Sequence, residues 1–76
     1  MKAYLAENFS DEEGELATEG KSVIIHGNKS DIKSIAEFLT KVSQHLENND
    51  YCHMHLQDSM AGWNKTEHID IEITVE

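Results

Sequence analysis

The sequence HIDIEITVE at residues 68–76 alternates strictly between polar and apolar side chains. Strict alternation is typical of a strand in an antiparallel sheet with one buried face and one solvated face. Residues 51–57, YCHMHLQ, alternate in the same way. We therefore predict two strands, 51–57 and 67–75, that pair with each other. The residues predicted to face solvent are Tyr51, His53, His55 and Gln57 on the first strand and His68, Asp70, Glu72, Thr74 and Glu76 on the second.

A helix is predicted on the N-terminal side of these strands. Apolar residues recur there at the spacing of one helical stripe, with Phe38 at its edge. Either Asn28 or Ser30 can cap the helix by accepting hydrogen bonds from free backbone N–H groups, and the polar cluster 47–50 ends it. The stripe would pack on the buried face of the sheet. Its members are Ile32, Ile35, Ala36, Leu39, Val42 and Leu46.

The N-terminal part of the chain adds two or three strands. Residues 2–7 form a short first strand, and residues 15–18 can re-enter a strand before a turn at 19–20. Residues 22–26, SVIIH, contain three consecutive β-branched residues and are predicted to be a mostly buried strand. Together the elements predict an α+β fold in a single domain, residues 1–76. Its order is β(β)αββ, with one amphipathic helix packed on a small antiparallel or mixed sheet of three to five strands.

The chain is strongly acidic, because fifteen Asp and Glu stand against six Lys and Arg and give a formal net charge of −9. Contacts to phosphate need Lys and Arg, so the acidity argues against nucleic acid and anionic membrane as partners. A positively charged surface would attract the chain; alternatively, the acids only keep it soluble.

Cellular location follows from other features of the sequence. Cys52 is the single cysteine, so no internal disulfide forms. The first eight residues lack the apolar core of a signal peptide, and no apolar run approaches the roughly 20 residues of a membrane span. We expect a cytoplasmic protein.

His53 and His55 are the strongest candidates for a functional pair. Residues two apart on a strand project from the same face, about 6.6–6.8 Å apart along the chain. If the two C-terminal strands pair, these histidines lie beside Asp70 and Glu72. One interpretation is a metal site, in which Asp70, Glu72 or His26 supplies a further ligand. The other is ordinary cross-strand pairing of histidine with carboxylate, which we favour, so we predict no metal and no cofactor.

Catalysis is the less favoured class of function. Cys52 alternates with the histidines and so projects from the opposite face, which denies it the reach that a Cys–His nucleophile needs. Asp70 and Glu72 can form a carboxylate pair, but a two-carboxylate mechanism needs a cleft, and a flat sheet face offers none. The sequence contains no glycine-rich phosphate loop and no Gly-x-Ser-x-Gly elbow. We predict a binding protein with no catalytic residues.

Two aromatic residues flank the strand at 51–57. Trp63 lies in the following loop, where it either folds over the edge of the core or contacts a partner. Tyr51 starts the strand on the face of the histidines, and Tyr and Trp are enriched at interface hot spots. We therefore predict a partner-binding surface on this face. Its residues are Tyr51, His53, His55, Trp63, Asp70 and Glu72.

Several of these segments together resemble the immunity protein 32 family, small proteins predicted to neutralise toxins of bacterial polymorphic or contact-dependent systems. The resemblance rests on IIHGN at 24–28, IAEFL at 35–39, HMHL at 53–56 and the isoleucine-rich last strand. It spans roughly residues 20–75; residues 1–19 have no counterpart.

The residues that carry over from the family pattern are Gly27, His53 and His55. The segment Gly62-Trp63-Asn64-Lys65 departs from that pattern, in which a leucine-containing turn precedes the last strand. The resemblance implies a bacterial source, a cytoplasmic location and a protein toxin as partner.

The function that combines these observations is an immunity-type protein that binds and neutralises a bacterial toxin through an acidic surface. Many toxins act on nucleic acids and carry basic clefts, and an inhibitor of complementary charge associates fast and specifically. We therefore expect a basic protein toxin. Two alternatives stay open: a small metal-binding or regulatory domain that uses the His53/His55 pair, and a homodimer formed through the sheet edge or its solvent face.

Overall fold

The computed structural model describes residues 1–7 and 21–76. One helix and antiparallel strands confirm the predicted α+β class, whereas the predictions for 15–18 and for the turn at 19–20 lie outside the described residues. No helix within the described ranges is both long and apolar enough to cross a membrane. The elements in chain order are strands β1 (Lys2–Glu7) and β2 (Lys21–His26), helix α1 (Lys29–Leu46), strand β3 (Cys52–His55), a 3₁₀ turn (Leu56–Asp58) and strand β4 (Glu72–Val75).

The described strands form two separate two-stranded sheets, where the sequence predicts one sheet. β1 pairs antiparallel with β2, with Lys2 opposite His26, and β3 pairs antiparallel with β4. Instead of extending each other's edges, the two hairpins contribute side chains to a common core. Ile25 of β2 packs against a cluster that contains Cys52 and Leu56.

Helix α1 begins at a capping box. Asn28 Oδ1 accepts a hydrogen bond from the Asp31 backbone N–H at 2.8 Å, and Asp31 Oδ2 accepts one from the Asn28 N–H at 3.1 Å. Asn28 is therefore the cap, and Ser30 lies in the first turn. Gly27 permits this arrangement, because a Cβ there would stand only 2.8 Å from the Cβ of Asp31.

The core centres on Phe38, which the sequence places at the edge of the apolar stripe. Phe38 is 1% exposed, whereas Ile32 and Leu39 are 47% and 46% exposed. The buried face of the helix is therefore rotated about the helix axis relative to the predicted stripe, toward Phe38. A two-stranded sheet covers only a narrow sector of a helix, so apolar residues on the flank of that sector stay in contact with water. The buried apolar residues are Ile35, Phe38, Val42, Cys52 and Leu56.

β2 is present as predicted, but its predicted burial is wrong. Val23 is 66% exposed, and Ile24 and Ile25 are half-buried. Consecutive β-branched residues on a strand point to opposite faces. Val23 and Ile25 therefore share a face, and the core covers that face at Ile25 but not at Val23.

β3 and β4 are the predicted C-terminal pair, and both are shorter than the segments 51–57 and 67–75. After His55 the chain enters the 3₁₀ turn, where the Leu56 N–H donates to the Ile71 carbonyl at 2.8 Å. The predicted buried face is confirmed in part: Cys52 and Leu56 are buried and Met54, Ile71 and Ile73 are half-buried, whereas Val75, which the alternation also assigns to this face, is 36% exposed. The hydrogen bond from the Leu56 N–H to the Ile71 carbonyl holds residues 70 and 71 against the end of β3.

Candidate functional site

The antiparallel register of β3 and β4 sets two histidines beside two carboxylates. His53 lies opposite Thr74, and His55 lies opposite Glu72. Because side chains alternate across a strand, these residues project away from the core. Asp70 precedes β4 and reaches the same place through its contact with His55. We call the group the His–carboxylate cluster, and its members are His53, His55, Asp70 and Glu72.

The cluster is a continuous row of polar contacts. His55 Nδ1 lies 2.5 Å from Asp70 Oδ2, and His55 Nε2 lies 3.1 Å from His53 Nε2. The same nitrogen of His53 lies 3.3 Å from Glu72 Oε2. The two imidazole rings meet edge to face, with centroids 4.9 Å apart. The predicted juxtaposition of the histidines with Asp70 and Glu72 is confirmed.

Asp70 is the anchored end of this row. Its Oδ1 accepts a hydrogen bond from the Gln57 backbone N–H at 2.9 Å. Burial acts to raise the pKa of the Asp70 carboxyl, but the hydrogen bonds from Gln57 and His55 outweigh it, and the pKa is lowered. The hydrogen bond to Asp70 is the main reason that the pKa of His55 is raised above its ordinary 6.5. The carboxylates at positions 58, 70 and 72 act in the same direction.

The contact with Asp70 also determines which nitrogen of His55 faces His53. When Nδ1 donates to a carboxylate, the neutral ring keeps a lone pair on Nε2. The Nε2 atom of His55 is therefore an acceptor in the neutral ring and a second donor in the protonated ring. The tautomer is thus set by Asp70.

The two halves of the cluster differ in exposure. The side chains of His53 and Glu72 are 62% and 47% exposed, whereas those of His55 and Asp70 are 26% and 28% exposed. His53 and Glu72, the outer pair, are therefore accessible to another molecule. His55 and Asp70, the inner pair, fix the position of the His55 ring.

Three ligand atoms of the cluster converge closely enough to hold one metal ion. They belong to His53, His55 and Glu72, and all lie within 4.8 Å of one another. Of the other ligands considered from the sequence, Asp70 is engaged with His55, and His26 lies in the β1–β2 sheet. Glu72 is thus the carboxylate that completes the group.

The two predicted aromatic contacts have different surroundings. Tyr51 directly precedes β3 and is 67% exposed. Trp63 is half-buried and packs against the core, and its indole N–H donates to the Ile69 carbonyl at 2.8 Å. Trp63 therefore folds over the edge of the core, which is one of the two roles predicted for it. Partner binding by either residue stays a prediction.

The predicted solvent exposure of His68 is wrong. Its side chain is only 11% exposed, and its Nε2 lies 3.8 Å from Asp31 Oδ1. Its ring stacks on Trp63, and its Nδ1 accepts a hydrogen bond from the Asn64 N–H at 3.1 Å. The proton of the neutral ring is then on Nε2, directed at Asp31. His68 thus links the loop before β4 to the start of the helix.

Asn64 is the residue in the sequence from which the burial of His68 could have been predicted. Its side-chain oxygen accepts hydrogen bonds from the backbone N–H groups of Thr66 and Glu67, at 3.0 and 2.9 Å. Asn is a residue type that bonds its own following backbone in this way. The resulting turn interrupts the strand pattern before residue 68.

Cys52 faces the core, as predicted. It is 7% exposed, and its thiol donates a weak hydrogen bond to the Ile73 carbonyl at 3.7 Å. The histidines of the cluster lie on the opposite side of the same hairpin. Cys52 therefore forms no Cys–His nucleophile pair with them.

Comparisons with known proteins give a family match over most of the chain. The family model described as immunity protein 32 matches residues 22–76. The matched segment contains α1, β3 and β4 and therefore the entire His–carboxylate cluster. No curated protein and no solved structure matches the chain.

Proposed function

This chain belongs to the immunity protein 32 family, and on that premise we propose that it binds a bacterial protein toxin and neutralises it. In this proposal the toxin is basic and the complex forms in the bacterial cytoplasm. The chain inhibits the toxin by binding and blocking it, without catalysing a reaction. The contact surface is the His–carboxylate cluster with Tyr51 and Trp63. The observation that carries the proposal is the family match over residues 22–76, which includes the whole cluster.

Charge is the first physical support. The chain has a formal net charge of −9, and charge complementarity raises association rates and suppresses wrong partners. The cluster gives part of that charge a definite position, since Asp70 and Glu72 lie within one end of the β3–β4 hairpin. The Asp58 carboxylate is close enough to act on the pKa of His55. An acidic surface of this kind would compete with nucleic acid for a basic cleft.

Preorganisation is the second support. Asp70 is held by the Gln57 backbone N–H, and His55 is held by Asp70. Side chains that are ordered before binding lose less conformational entropy in the complex. Tyr51, which directly precedes β3, is 67% exposed and is of a type enriched at interface hot spots. Trp63 is half-buried, and in this proposal its exposed part belongs to the same surface.

Co-expression in a bacterial host tests the proposal. A toxin gene directly upstream of this coding sequence would be induced with and without this chain. We expect growth to be rescued and toxin to co-purify with the tagged chain. No rescue, together with no detectable complex, would sink the proposal.

A pair of double variants tests the assigned surface. Asp70→Asn with Glu72→Gln removes two charges from the cluster. The matched control, Glu37→Gln with Glu47→Gln, removes two charges from exposed positions on α1 and its C-terminal cap. We expect the cluster variant to protect only at lower toxin expression, while the control protects like the wild type. Equal loss of protection in both would show that net charge alone matters.

A further inference from the structure

We propose that His53, His55 and Glu72 form a three-ligand Zn²⁺ site on the solvent side of the β3–β4 hairpin. The site goes beyond toxin neutralisation and does not depend on it. It rests on the geometry of three side chains, on the anchoring of one of them by Asp70, and on the chemistry of the donor set.

Two of the three distances between the ligand atoms fit a tetrahedral ion. With metal–nitrogen bonds of about 2.0–2.1 Å, tetrahedral coordination places neighbouring ligand atoms about 3.3–3.4 Å apart. The two Nε2 atoms of His53 and His55 are 3.1 Å apart, and His53 Nε2 is 3.3 Å from Glu72 Oε2. The widest separation among the three ligand atoms is within 4.8 Å. Tetrahedral coordination would bring the Glu72 carboxylate closer to His55 Nε2, a movement for which the 47% exposed Glu72 side chain has room.

The surroundings of His55 are those of a metal ligand. A ligating histidine almost always donates its second ring N–H to a carboxylate, a carbonyl or water, which fixes the tautomer and orients the ring. Here His55 Nδ1 is 2.5 Å from Asp70 Oδ2, and the Gln57 backbone N–H holds the other oxygen of Asp70. The lone pair on His55 Nε2 is thereby directed at the point where His53 and Glu72 also converge. Asp70 is a positioning residue for the site.

The three converging ligand atoms suit a cation as well as a hydrogen-bond network in which Thr74 Oγ1 donates to Glu72 Oε2 at 3.4 Å. When both imidazoles are neutral, His53 Nε2 carries at most one proton, yet it faces both His55 Nε2 and Glu72 Oε2. One N–H group cannot point at both atoms with good geometry. A cation at the centre satisfies all three lone pairs at once.

The donor set selects the class of ion. Two imidazole nitrogens and one carboxylate oxygen suit Zn²⁺ and neighbouring late transition metals, whereas Ca²⁺ and Mg²⁺ prefer oxygen ligands throughout. Three protein ligands leave a fourth position of the tetrahedron. Since His53 and Glu72 are 62% and 47% exposed, that position faces solvent, where water or a side chain of a partner can complete it.

Calorimetric titration of the chelator-treated full chain with ZnCl₂ at pH 7.5 tests the site. We expect one Zn²⁺ per chain. Co²⁺ in place of Zn²⁺ should give the visible absorption bands of tetrahedral coordination. No Zn²⁺ binding at 100 μM, or bands of octahedral coordination only, would overturn the proposal.

Variants assign the ligands. His53→Ala, His55→Ala and Glu72→Gln should each abolish the one-to-one binding. Asp70→Asn should weaken it by roughly 10–100-fold, as expected for loss of an outer-shell partner. His45→Ala and Glu37→Gln remove the same residue types from exposed positions on α1 and should bind like the wild type.

The ligand side chains are exposed or only partly buried, so the variants should keep the wild-type circular dichroism spectrum, which is recorded for each. Binding that survives His53→Ala or His55→Ala would contradict the proposal. Binding that survives Glu72→Gln with unchanged affinity would contradict the three-ligand assignment.

Discussion

His55 Nδ1 and Asp70 Oδ2 are 2.5 Å apart, although the two residues are fifteen positions apart in the chain. Asp70 also accepts a hydrogen bond from the Gln57 backbone N–H, so the contact closes the end of the β3–β4 hairpin. It orients the imidazole of His55 and moves the pKa of both groups toward the charged pair. A change at either residue should therefore be measurable at the other.

Replacing Asp70 by Asn should lower the pKa of His55 toward 6.5 in metal-free protein. The substitution removes the negative charge and the charge-assisted hydrogen bond that favour the imidazolium form. An NMR titration of the His55 ring proton, in the presence of a chelator, measures the change. Glu37→Gln, a charge removal on α1, should leave the His55 titration where it is in the wild type. A His55 pKa that does not move in Asp70→Asn would contradict the assigned cause.

The same pair should make stability depend on pH in a defined direction. The folded pKa of His55 is raised, so its contribution is fully present below the unfolded value of 6.5 and is lost as pH rises through the folded value. The folded pKa of Asp70 is lowered, so its contribution is present above the unfolded value of 3.8 and is lost as pH falls through the folded value.

The difference in unfolding free energy between wild type and Asp70→Asn should therefore be largest between about pH 3.8 and pH 6.5. Urea denaturation at a series of pH values, with chelator present, measures this difference. A maximum above the raised pKa of His55 would show the opposite sign and refute the linkage.

Removing the helix cap should cost stability at Asn28 and not at Ser30. Asn28→Ala deletes the acceptor of the Asp31 N–H and should lower the free energy of unfolding by about 1 kcal/mol, within a range of roughly 0.5–2 kcal/mol. Ser30→Ala, in the first turn of the same helix, should change it by less than about 0.5 kcal/mol. Urea denaturation of both variants at neutral pH decides between the two caps that the sequence allows. A larger loss for Ser30→Ala would reverse the assignment.

Phe38 and Leu39 are neighbours in α1 and should respond very differently to truncation. Phe38 is 1% exposed and Leu39 is 46% exposed. Phe38→Ala should cost about 3–5 kcal/mol, a large share of the roughly 4–11 kcal/mol expected for a domain of this size. Leu39→Ala should cost about 1 kcal/mol or less. Comparable losses in urea denaturation would mean that the covered sector of the helix is different.

Much of the C-terminal hairpin was predictable, because its determinants are local. Alternation with a period of two separates Cys52 from the histidines without any knowledge of the partner strand. The pairing then brings His55 to Glu72 once the isoleucines of the last strand are directed at the core. This is why the His–carboxylate cluster could be anticipated from residue spacing.

The wrong predictions concern the burial of residues whose surroundings are determined by tertiary packing. Helical periodicity places Ile32 and Leu39 on the apolar stripe, but it does not show which sector of the helix a two-stranded sheet will cover. In the structure that sector centres on Phe38. Alternation also extends through His68, although the turn at Asn64 redirects the chain before that residue. The contact between His68 and Asp31 depends on two segments whose meeting no local pattern reveals.

The association rate of the purified chain with its toxin tests the central claim most directly. Stopped-flow measurements at two or more ionic strengths would compare the wild type with the two double variants. We expect Asp70→Asn/Glu72→Gln to associate roughly 10-fold more slowly at low salt, with the difference shrinking as salt screens the charges. Glu37→Gln/Glu47→Gln should associate at a rate close to that of the wild type. Equal rates for the two double variants at every ionic strength would contradict the claim that the acidic end of the β3–β4 hairpin meets the toxin.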